Sequence, residues 1–216
     1  MTYEGLRLKV NAYYRKWFAK ARHKKLKNTD FTIISNNCWG GMVYESYDLP
    51  KESPTVGMFF MADEYIKFLG DIKGYTSKEL TFIPPEQSRY AAELRRDKRF
   101  GSYPIGVIDD VEIAFLHYHS EHEAKEKWER RCARINWDRL IVKFNDQNGC
   151  IEEHVRAFSA MPFENKLFFT IHNWPIPQWG GYCVIRQHTR DDCVTASHEP
   201  FGRNRYVDLI KMINEL

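Results

Sequence analysis

The chain changes from strand to loop within residues 31–41, which read FTIISNNCWGG. The first half is a β-branched and apolar run of the kind that forms a buried strand. The second half carries two amides, a thiol, a tryptophan and two glycines. In open α/β sheets, ligands bind beyond the carboxyl ends of the strands, beside the free N–H groups of helix N-termini. The stretch therefore predicts an α/β fold with a ligand-binding loop at this junction.

Strand and helix patterns alternate along the rest of the chain, without an internal repeat. Their order predicts an α/β fold with a mixed or mainly parallel sheet, flanking helices and Rossmann-like layering. Strands are predicted at 31–35, 55–60, 80–83, 107–118, 140–144, 166–171 and 182–186. Helices are predicted at 62–69, 121–136, 151–158 and 205–216.

Residues 1–27 predict a basic amphipathic helix in front of a single α/β domain at 28–216. This segment holds nine Lys or Arg residues and one Glu, about +8, while the whole chain carries +3. Two interpretations stay open: the aromatic face packs on the domain, or it lies on an anionic membrane surface. Because the remainder is mildly acidic, nucleic acid is not the expected partner.

Composition favours a cytoplasmic protein. The hydrophobic share of 43% is enough for a core and excludes a disordered tail. The sequence has no apolar run near the roughly 20 residues of a membrane-spanning helix, and no signal-peptide pattern at its start. Five cysteines without a C-x-x-C pair argue against a disulfide framework and a zinc ribbon. The protein is therefore expected in the cytoplasm, at the inner face of the membrane if residues 1–27 dock there.

The loop after the first strand supplies the first set of candidate site residues. Its amides, indole and glycines predict binding of a phosphate or a carbonyl group: Asn36, Asn37, Trp39, Gly40 and Gly41. Cys38 lies near a predicted helix start, and this position predicts a lowered thiol pKa. Cys38 is therefore the best nucleophile candidate. The alternative is an ordinary turn with Cys38 as a small buried side chain. Neither a Walker loop nor a G-x-G-x-x-G fingerprint is present, so no cofactor is assigned.

The segment around His117 supplies the second set. Strand alternation places His117 and His119 on one face and Tyr118 on the other. His117 is the predicted general base, and Tyr118 is a predicted ligand contact. The alternative is that His117 and His119 are two metal ligands, joined by a carboxylate from elsewhere in the chain. Asp109 and Asp110 are typical of paired acids that hold a divalent ion against a sugar nucleotide. The alternative for the acids is a hairpin turn, and no metal ligands are assigned.

The helix predicted at 121–136 supplies a third set. It carries Arg130, Arg131 and Arg134, which are predicted to clamp a phosphate. The alternative is an ion-paired solvated face, because glutamates stand three and four positions away. A last aromatic loop, residues 171–181, predicts either stacking on sugar rings or a buried, proline-stiffened turn.

Several motifs occur in a fixed order: NNCWGG at 36–41, SPT at 53–55, YPIG at 103–106, FLHY at 115–118 and KWERRCARIN at 127–136. In this order they resemble an uncharacterised bacterial family, catalogued as a domain of unknown function and often labelled an exopolysaccharide biosynthesis protein. The resemblance covers roughly residues 28–216. Its label implies capsule or cell-surface glycan assembly, and its motif positions coincide with the three sets of candidate residues.

Three functions follow as expectations. The first is a group transferase of surface-glycan assembly that uses a phosphorylated sugar donor. The second is a thiol hydrolase or acyltransferase with Cys38 as nucleophile and His117 as base. The third is a non-catalytic partner in a glycan-assembly complex. For an enzyme of either class, we expect one pocket to be lined by Asn36, Asn37, Cys38, His117 and Arg131.

Overall fold

A computed structural model describes residues 3–186 and 192–216. The strands are β1 (Thr32–Ser35), β2 (Thr81–Ile83), β3 (Ile105–Ile108), β4 (Val111–Ala114), β5 (Leu140–Asn145), β6 (Lys166–Thr170) and β7 (Tyr182–Val184). The α-helices are α1 (Tyr3–Trp17), α2 (Ala19–His23), α3 (Trp39–Ser46), α4 (Ala62–Gly70), α5 (Ile72–Ser77), α6 (Ala91–Leu94), α7 (Glu121–Cys132), α8 (Glu152–Ala160) and α9 (Leu209–Glu215).

Four strands form a parallel sheet in the order β1-β5-β6-β7. A separate antiparallel sheet has the order β2-β3-β4 and lies within the connection between β1 and β5. The predicted α/β class with a mainly parallel sheet and flanking helices is therefore confirmed. The carboxyl ends of the four parallel strands share one edge of the sheet, which is where the candidate site is assembled.

Both faces of the parallel sheet are covered. On one face, Ile141 of β5 packs in a core with α3 and α9. On the other face, Val142 and Phe144 pack in a larger core with α4, α7, α8 and the antiparallel sheet. Burial on both faces explains why β5 is a nearly continuous apolar run. The exception in this run is Lys143, which is also fully buried.

Several predicted elements differ from the structure. The segment at 107–118 contributes to the hairpin of β3 and β4, which ends at Ala114, so His117 and Tyr118 lie in the loop that follows and not on opposite faces of a strand. The helix predicted at 121–136 ends at Cys132.

Two further differences have a visible local cause. Residues 55–60 form a turn with one isolated bridge, Phe59 to Ala114, instead of a strand. The cause is Gly57, whose φ of +81° is a left-handed conformation that interrupts an extended strand. The closing helix begins at Leu209 instead of 205, because the Asp208 side chain caps it by accepting from Lys211 N at 3.0 Å.

The N-terminal segment forms two helices, α1 and α2, that meet at Phe18. Arg22 Nη1 donates to Ser46 O at 3.0 Å, and His23 Nδ1 lies 3.0 Å from Tyr47 O. Both carbonyls belong to the end of α3, so the segment is attached to the α/β body. In the described part of the chain, no helix is both long enough and apolar enough to cross a membrane.

Candidate functional site

Asparagine side chains meet where β1 and β5 end. The two strands pair in parallel, so residues that follow β1 lie beside the end of β5. Asn36 Nδ2 donates to Asn145 Oδ1 at 2.7 Å, and Asn37 Nδ2 donates to Gln147 Oε1 at 3.0 Å. All of these side chains except Gln147 are buried. The sheet edge therefore assembles the two predicted loop amides with two amides that sequence reasoning missed.

The buried Lys143 side chain hydrogen-bonds to two of these amides. Its ammonium group donates to Asn37 Oδ1 at 2.9 Å and to Asn36 Oδ1 at 3.3 Å, and it lies 2.5 Å from Glu199 Oε1. The three hydrogens of the ammonium group thus have three acceptors. We call Asn36, Asn37, Lys143, Asn145 and Glu199 the carboxyl-edge cluster. These hydrogen bonds determine the orientation of each side-chain amide group in the cluster.

Glu199 takes part in this cluster through its Oε1 atom. Its Oε1 also accepts from Asn145 Nδ2 at 2.7 Å and from Asn37 Nδ2 at 3.2 Å. Its Oε2 is buried without a hydrogen-bond partner among the described residues. Burial raises the pKa of Glu199 and lowers the pKa of Lys143, although each charge favours the other. A buried carboxylate oxygen without a hydrogen-bond partner is uncommon in folded proteins and calls for an explanation.

The segment that carries Glu199 is fixed across the carboxyl edge of the sheet. Asp146 accepts from Val194 N at 2.7 Å and from Ile171 N at 2.9 Å. Trp39 Nε1 donates to Pro200 O at 2.7 Å. The segment therefore covers the ends of β1 and β5, and the open space lies to one side of it.

A cleft of about 570 Å³ occupies that space. Ala196 of the covering segment contributes to its lining, and residues 93–103 form the opposite wall. Its lining includes the neutral polar side chains of Asn37, Cys38 and Gln147 and the charged side chains of Glu93, Arg96, Asp97 and Arg99. Arg99 forms an ion pair with Asp97, with Nη2 2.8 Å from Oδ2. Its volume is within the usual range for small-molecule sites. The loop after β1 therefore opens on a cleft of ligand size.

One wall of the cleft is aromatic. Phe59 and Tyr103 both line it, with ring centroids 6.2 Å apart in a T-shaped arrangement. The Tyr103 hydroxyl is buried and has no hydrogen-bond partner in the part of the chain that the structure describes. Burial raises the pKa of Tyr103, so this hydroxyl keeps its proton. The wall therefore presents an apolar surface to the cleft.

Cys38 lines the cleft in a form unsuited to nucleophilic attack. Burial raises the pKa of the Cys38 thiol to about 11, and the Glu199 carboxylate raises it further, while Lys143 and Arg99 offset part of the rise. The predicted lowering is therefore corrected. Burial beside a carboxylate outweighs the effect of the helix start, so the thiol is protonated at neutral pH.

His117 lies near the same cations as Cys38. Its side chain is exposed, and its backbone N–H donates to Gly57 O at 2.9 Å. Partial desolvation by its neighbours lowers the pKa of His117, and the positive charges of Arg99 and Lys51 lower it further. The imidazole is therefore neutral at neutral pH and able to accept a proton. Among residues 3–186 and 192–216, no hydrogen bond joins His117 to Cys38.

Arg131 and Tyr118 point away from the cleft. Arg131 Nη1 donates to the Tyr118 hydroxyl at 2.5 Å, and its Nε donates to Lys51 O at 2.9 Å. The Tyr118 hydroxyl in turn donates to Val56 O at 2.5 Å. Both side chains are buried. Arg131 thus holds the 51–56 loop in place. Of the five residues expected to line one pocket, Asn37 and Cys38 line the cleft, whereas Asn36, His117 and Arg131 do not.

The other helix arginines form ion pairs. Arg130 Nη1 lies 2.7 Å from Glu126, and Arg134 Nη1 lies 2.7 Å from Glu52. With Arg131 buried between them, the three guanidinium groups have separate partners and do not form the predicted phosphate clamp. The ion-paired face, which was the alternative interpretation, is the arrangement observed.

The predicted acid pair lies in a hairpin turn. Asp109 adopts a φ of +55° between β3 and β4, a conformation that aspartate tolerates. Asp109 lies 2.5 Å from Lys78, and Asp110 lies 3.3 Å from Lys67. In the described part of the chain, no three or more His, Cys, Asp or Glu side chains are grouped to hold a metal ion.

Trp39, Gly40 and Gly41 set the shape of the loop from inside. All three are buried, and the Trp39 ring packs against Phe169 with centroids 5.5 Å apart. A Cβ atom at Gly40 would lie 3.1 Å from Ser35 Oγ. The glycines therefore let α3 pack closely against β1, and these residues position Asn37 and Cys38 instead of lining the cleft themselves.

The aromatic loop at 171–181 is packed against the body. Trp174 and Trp179 are partly buried on the core of the sheet. Trp179 Nε1 donates to Lys166 O at 3.2 Å, and Trp174 Nε1 donates to Thr170 Oγ1 at 3.1 Å. The buried turn is therefore the arrangement observed for these two side chains.

Sequence reasoning missed Lys143, Glu199 and Arg99. One signal for Lys143 was present, since a lysine inside an apolar strand of a parallel sheet is buried and needs partners. Glu199 and Arg99 lie in segments without regular structure, where no periodicity marks a side chain as buried or exposed. Their contacts depend on the tertiary structure, which local spacing does not predict.

Two comparisons with other proteins match most of the chain. The model of a family described as "Domain of unknown function (DUF1919)" matches residues 9–215, which include most of α1. An uncharacterized protein of Haemophilus influenzae is 32% identical over 173 residues, which are 80% of this chain and 77% of that protein. This chain belongs to the DUF1919 family.

Proposed function

We propose that this protein is a group transferase of bacterial exopolysaccharide or other cell-surface glycan assembly, which binds a phosphorylated sugar donor in the cleft. The observation that carries the proposal is the cleft itself. It lies at the carboxyl edge of a parallel sheet, the usual ligand position in α/β proteins. Its lining places two arginines opposite amide groups and an aromatic wall.

Each part of the lining has a task in this proposal. Arg96 and Arg99 bind the phosphate groups by charge-assisted hydrogen bonds, and Asp97, which is ion-paired with Arg99, holds that guanidinium group at the cleft. Phe59 packs against the sugar ring. The carboxyl-edge cluster acts as a positioning group, because its hydrogen bonds fix Asn37 at the floor of the cleft.

The proposed reaction is a displacement at the anomeric carbon of the donor. An acceptor hydroxyl oxygen forms the new bond to that carbon, and the bond from the carbon to the phosphate oxygen breaks. The phosphate leaves with the electron pair, and its negative charge is stabilised by Arg96 and Arg99. The proton of the acceptor hydroxyl passes to neutral His117 as general base, through a water molecule, because His117 follows Leu116 of the cleft wall and does not itself line the cleft.

The thiol-enzyme alternative receives no comparable support. A nucleophilic cysteine needs a lowered thiol pKa or an adjacent base. Burial raises the pKa of Cys38 to about 11, and no hydrogen bond within the described residues joins it to His117. In the proposed reaction, Cys38 remains a protonated thiol that lines the cleft.

A thermal-shift screen with nucleotide sugars, with and without Mg²⁺ or Mn²⁺, tests the proposal. At least one donor should raise the melting temperature, because a ligand that binds only the folded state stabilises it. Arg99→Ala should abolish that rise. Arg130→Ala is the matched control, since Arg130 is paired on the exposed face of α7 away from the cleft, and should leave the rise intact. If no donor raises the melting temperature, or if Arg99→Ala responds like the native protein, the proposal is wrong.

A further inference from the structure

The first two helices expose an aromatic surface. Nine large hydrophobic side chains are exposed among the described residues, and seven of them belong to the segment formed by α1, Phe18 and α2. The seven are Tyr3, Leu6, Val10, Tyr13, Tyr14, Trp17 and Phe18. We call this set the aromatic face. Single exposed hydrophobic residues are ordinary, but such a concentration marks a surface that meets an apolar partner.

The opposite side of the segment is the side that contacts the body. Arg15 and Ala19 are buried, and the guanidinium groups of Arg15 and Arg22 each lie 5.2 Å from the centroid of the Phe201 ring. Arg22 also donates to Arg15 O and Ser46 O. The segment is thus already attached through its other side, so the aromatic face is not a core face waiting to fold onto this body.

The rings of the aromatic face pack on one another. Tyr13 and Trp17 have centroids 5.5 Å apart, and Tyr14 and Phe18 are stacked at 5.7 Å. Both pairs are four residues apart, so they lie side by side along the helix. This packing reduces the side-chain freedom that docking would otherwise remove.

The charge of the segment selects the partner. Residues 1–27 hold nine cations and one acid, and the exposed cations are all lysines: Lys9, Lys16, Lys20, Lys24, Lys25 and Lys27. Two copies of this surface would repel each other, which disfavours self-association. Nucleic-acid readout relies strongly on arginine, whereas Arg15 and Arg22 are directed into the body. An anionic surface with an apolar interior satisfies both the lysines and the rings.

We propose that α1 and α2 dock the protein on an anionic lipid bilayer, with the helices lying along the interface. Tyrosine and tryptophan rings sit at headgroup depth, and the lysines lie beside the lipid phosphates. The 15 residues of α1 extend about 22 Å, shorter than a membrane span. Each lysine near such a surface strengthens binding about fivefold. Because Arg15 and Arg22 attach the helices to Phe201, docking also sets the orientation of the body.

Cosedimentation of the full chain with lipid vesicles tests this proposal independently of any donor or reaction. We expect binding to vesicles of 70% phosphatidylcholine and 30% phosphatidylglycerol at low salt, weaker binding at high salt because of screening, and little binding to pure phosphatidylcholine. The variant Tyr13→Ser/Trp17→Ser should bind about tenfold more weakly, because it removes two exposed rings and no core contact. Its melting temperature should match that of the native protein.

The matched control is Trp137→Ser, which removes an exposed tryptophan elsewhere on the surface and should bind vesicles like the native protein. Three outcomes would overturn the proposal. The first is no binding to anionic vesicles at low salt. The second is equal binding by Tyr13→Ser/Trp17→Ser. The third is the loss, in that variant, of a dimer or of single-stranded RNA binding while vesicle binding persists.

Discussion

The ammonium group of Lys143 lies 2.5 Å from a carboxylate oxygen of Glu199, and both side chains are fully buried. The removal of either charge from water costs several kcal/mol, which the partner charge and the surrounding hydrogen bonds must offset. Asn36, Asn37 and Asn145 supply those hydrogen bonds. The pair therefore joins three parts of the chain, β1, β5 and the segment at Glu199, through one set of mutually dependent contacts.

Loss of one partner should be costly. We expect Lys143→Met to lower the free energy of unfolding by about 3–5 kcal/mol, because it leaves the Glu199 carboxylate buried without its counter-charge. Urea denaturation measures the change. The matched control Lys125→Met breaks an exposed pair with Glu79 and should cost less than about 1 kcal/mol. Addition of Glu199→Gln to Lys143→Met should recover part of the loss, and no recovery would contradict coupling between the two residues.

The Cys38 thiol should react slowly. With its pKa raised to about 11, only about one molecule in ten thousand carries the thiolate at pH 7. Alkylation by iodoacetamide, followed by peptide mass spectrometry, should show a Cys38 rate that rises about tenfold per pH unit between pH 7 and 10. A free thiol compound of ordinary pKa serves as the reference. Rapid labelling of Cys38 at pH 7 would contradict this assignment and would revive the thiol-enzyme alternative.

The His117 imidazole should titrate below its usual pKa of 6.5, because partial desolvation and nearby cations disfavour the charged form. Arg99→Ala should raise the pKa of His117, since it removes one of those positive charges. NMR titration of the ring protons, assigned with His117→Asn, measures the shift. Arg130→Ala is the control and should leave the titration unchanged. An unmoved His117 pKa in Arg99→Ala would show that the two residues do not share the site.

Neighbouring arginines on α7 should differ sharply in their effect on stability. Arg131→Met leaves the carbonyl of Lys51 and the buried Tyr118 hydroxyl without the Arg131 donor and should cost about 3 kcal/mol. Arg130→Met breaks only an exposed pair with Glu126 and should cost about 0.5 kcal/mol or less. Thermal or urea unfolding of both variants checks the difference. Similar values for the two variants would mean that Arg131 does not hold the 51–56 loop.

Two adjacent glycines provide a second matched pair. A Cβ atom at Gly181 would lie 1.9 Å from Lys166 O, whereas a Cβ atom at Gly180 meets no atom within 4 Å. Gly181→Ala should therefore destabilise the protein by about 2–3 kcal/mol, because the backbone of β6 or β7 must move. Gly180→Ala should stay within about 0.5 kcal/mol of the native protein. Equal melting temperatures for the two variants would contradict the close approach of β6 and residue 181.

The regular patterns of apolar residues made the main strands predictable from the sequence. The apolar runs of β1, β5 and β6 are visible because burial on both sheet faces requires them, and Asn36 and Asn37 stand out because they follow such a run. Arg131 was misread, since helical spacing shows that it flanks the apolar stripe but not which carbonyls it will meet. A hydrogen bond between residues 80 positions apart leaves no trace in local spacing.

The sequence also did not predict which side of α1 packs against the body. The sequence offers an aromatic stripe opposite a basic stripe, and hydrophobic burial favours the aromatic one as the packed side. The structure buries Arg15 instead, because the Phe201 ring gives its guanidinium group a cation–π partner. Which stripe faces the body depends on that distant ring.

The position of the antiparallel sheet between β1 and β5 has a consequence for how the chain folds. β5, α8 and β6 follow one another closely, so their contacts close short loops, whereas the pairing of β1 with β5 must close the loop of residues 36–139. Contacts of such long range slow folding. Until β1 and the segment at Glu199 arrive, Lys143 keeps its hydration and its charge. We therefore expect the burial of this lysine to be a late step, so that the candidate site is completed only as the last long-range contacts form.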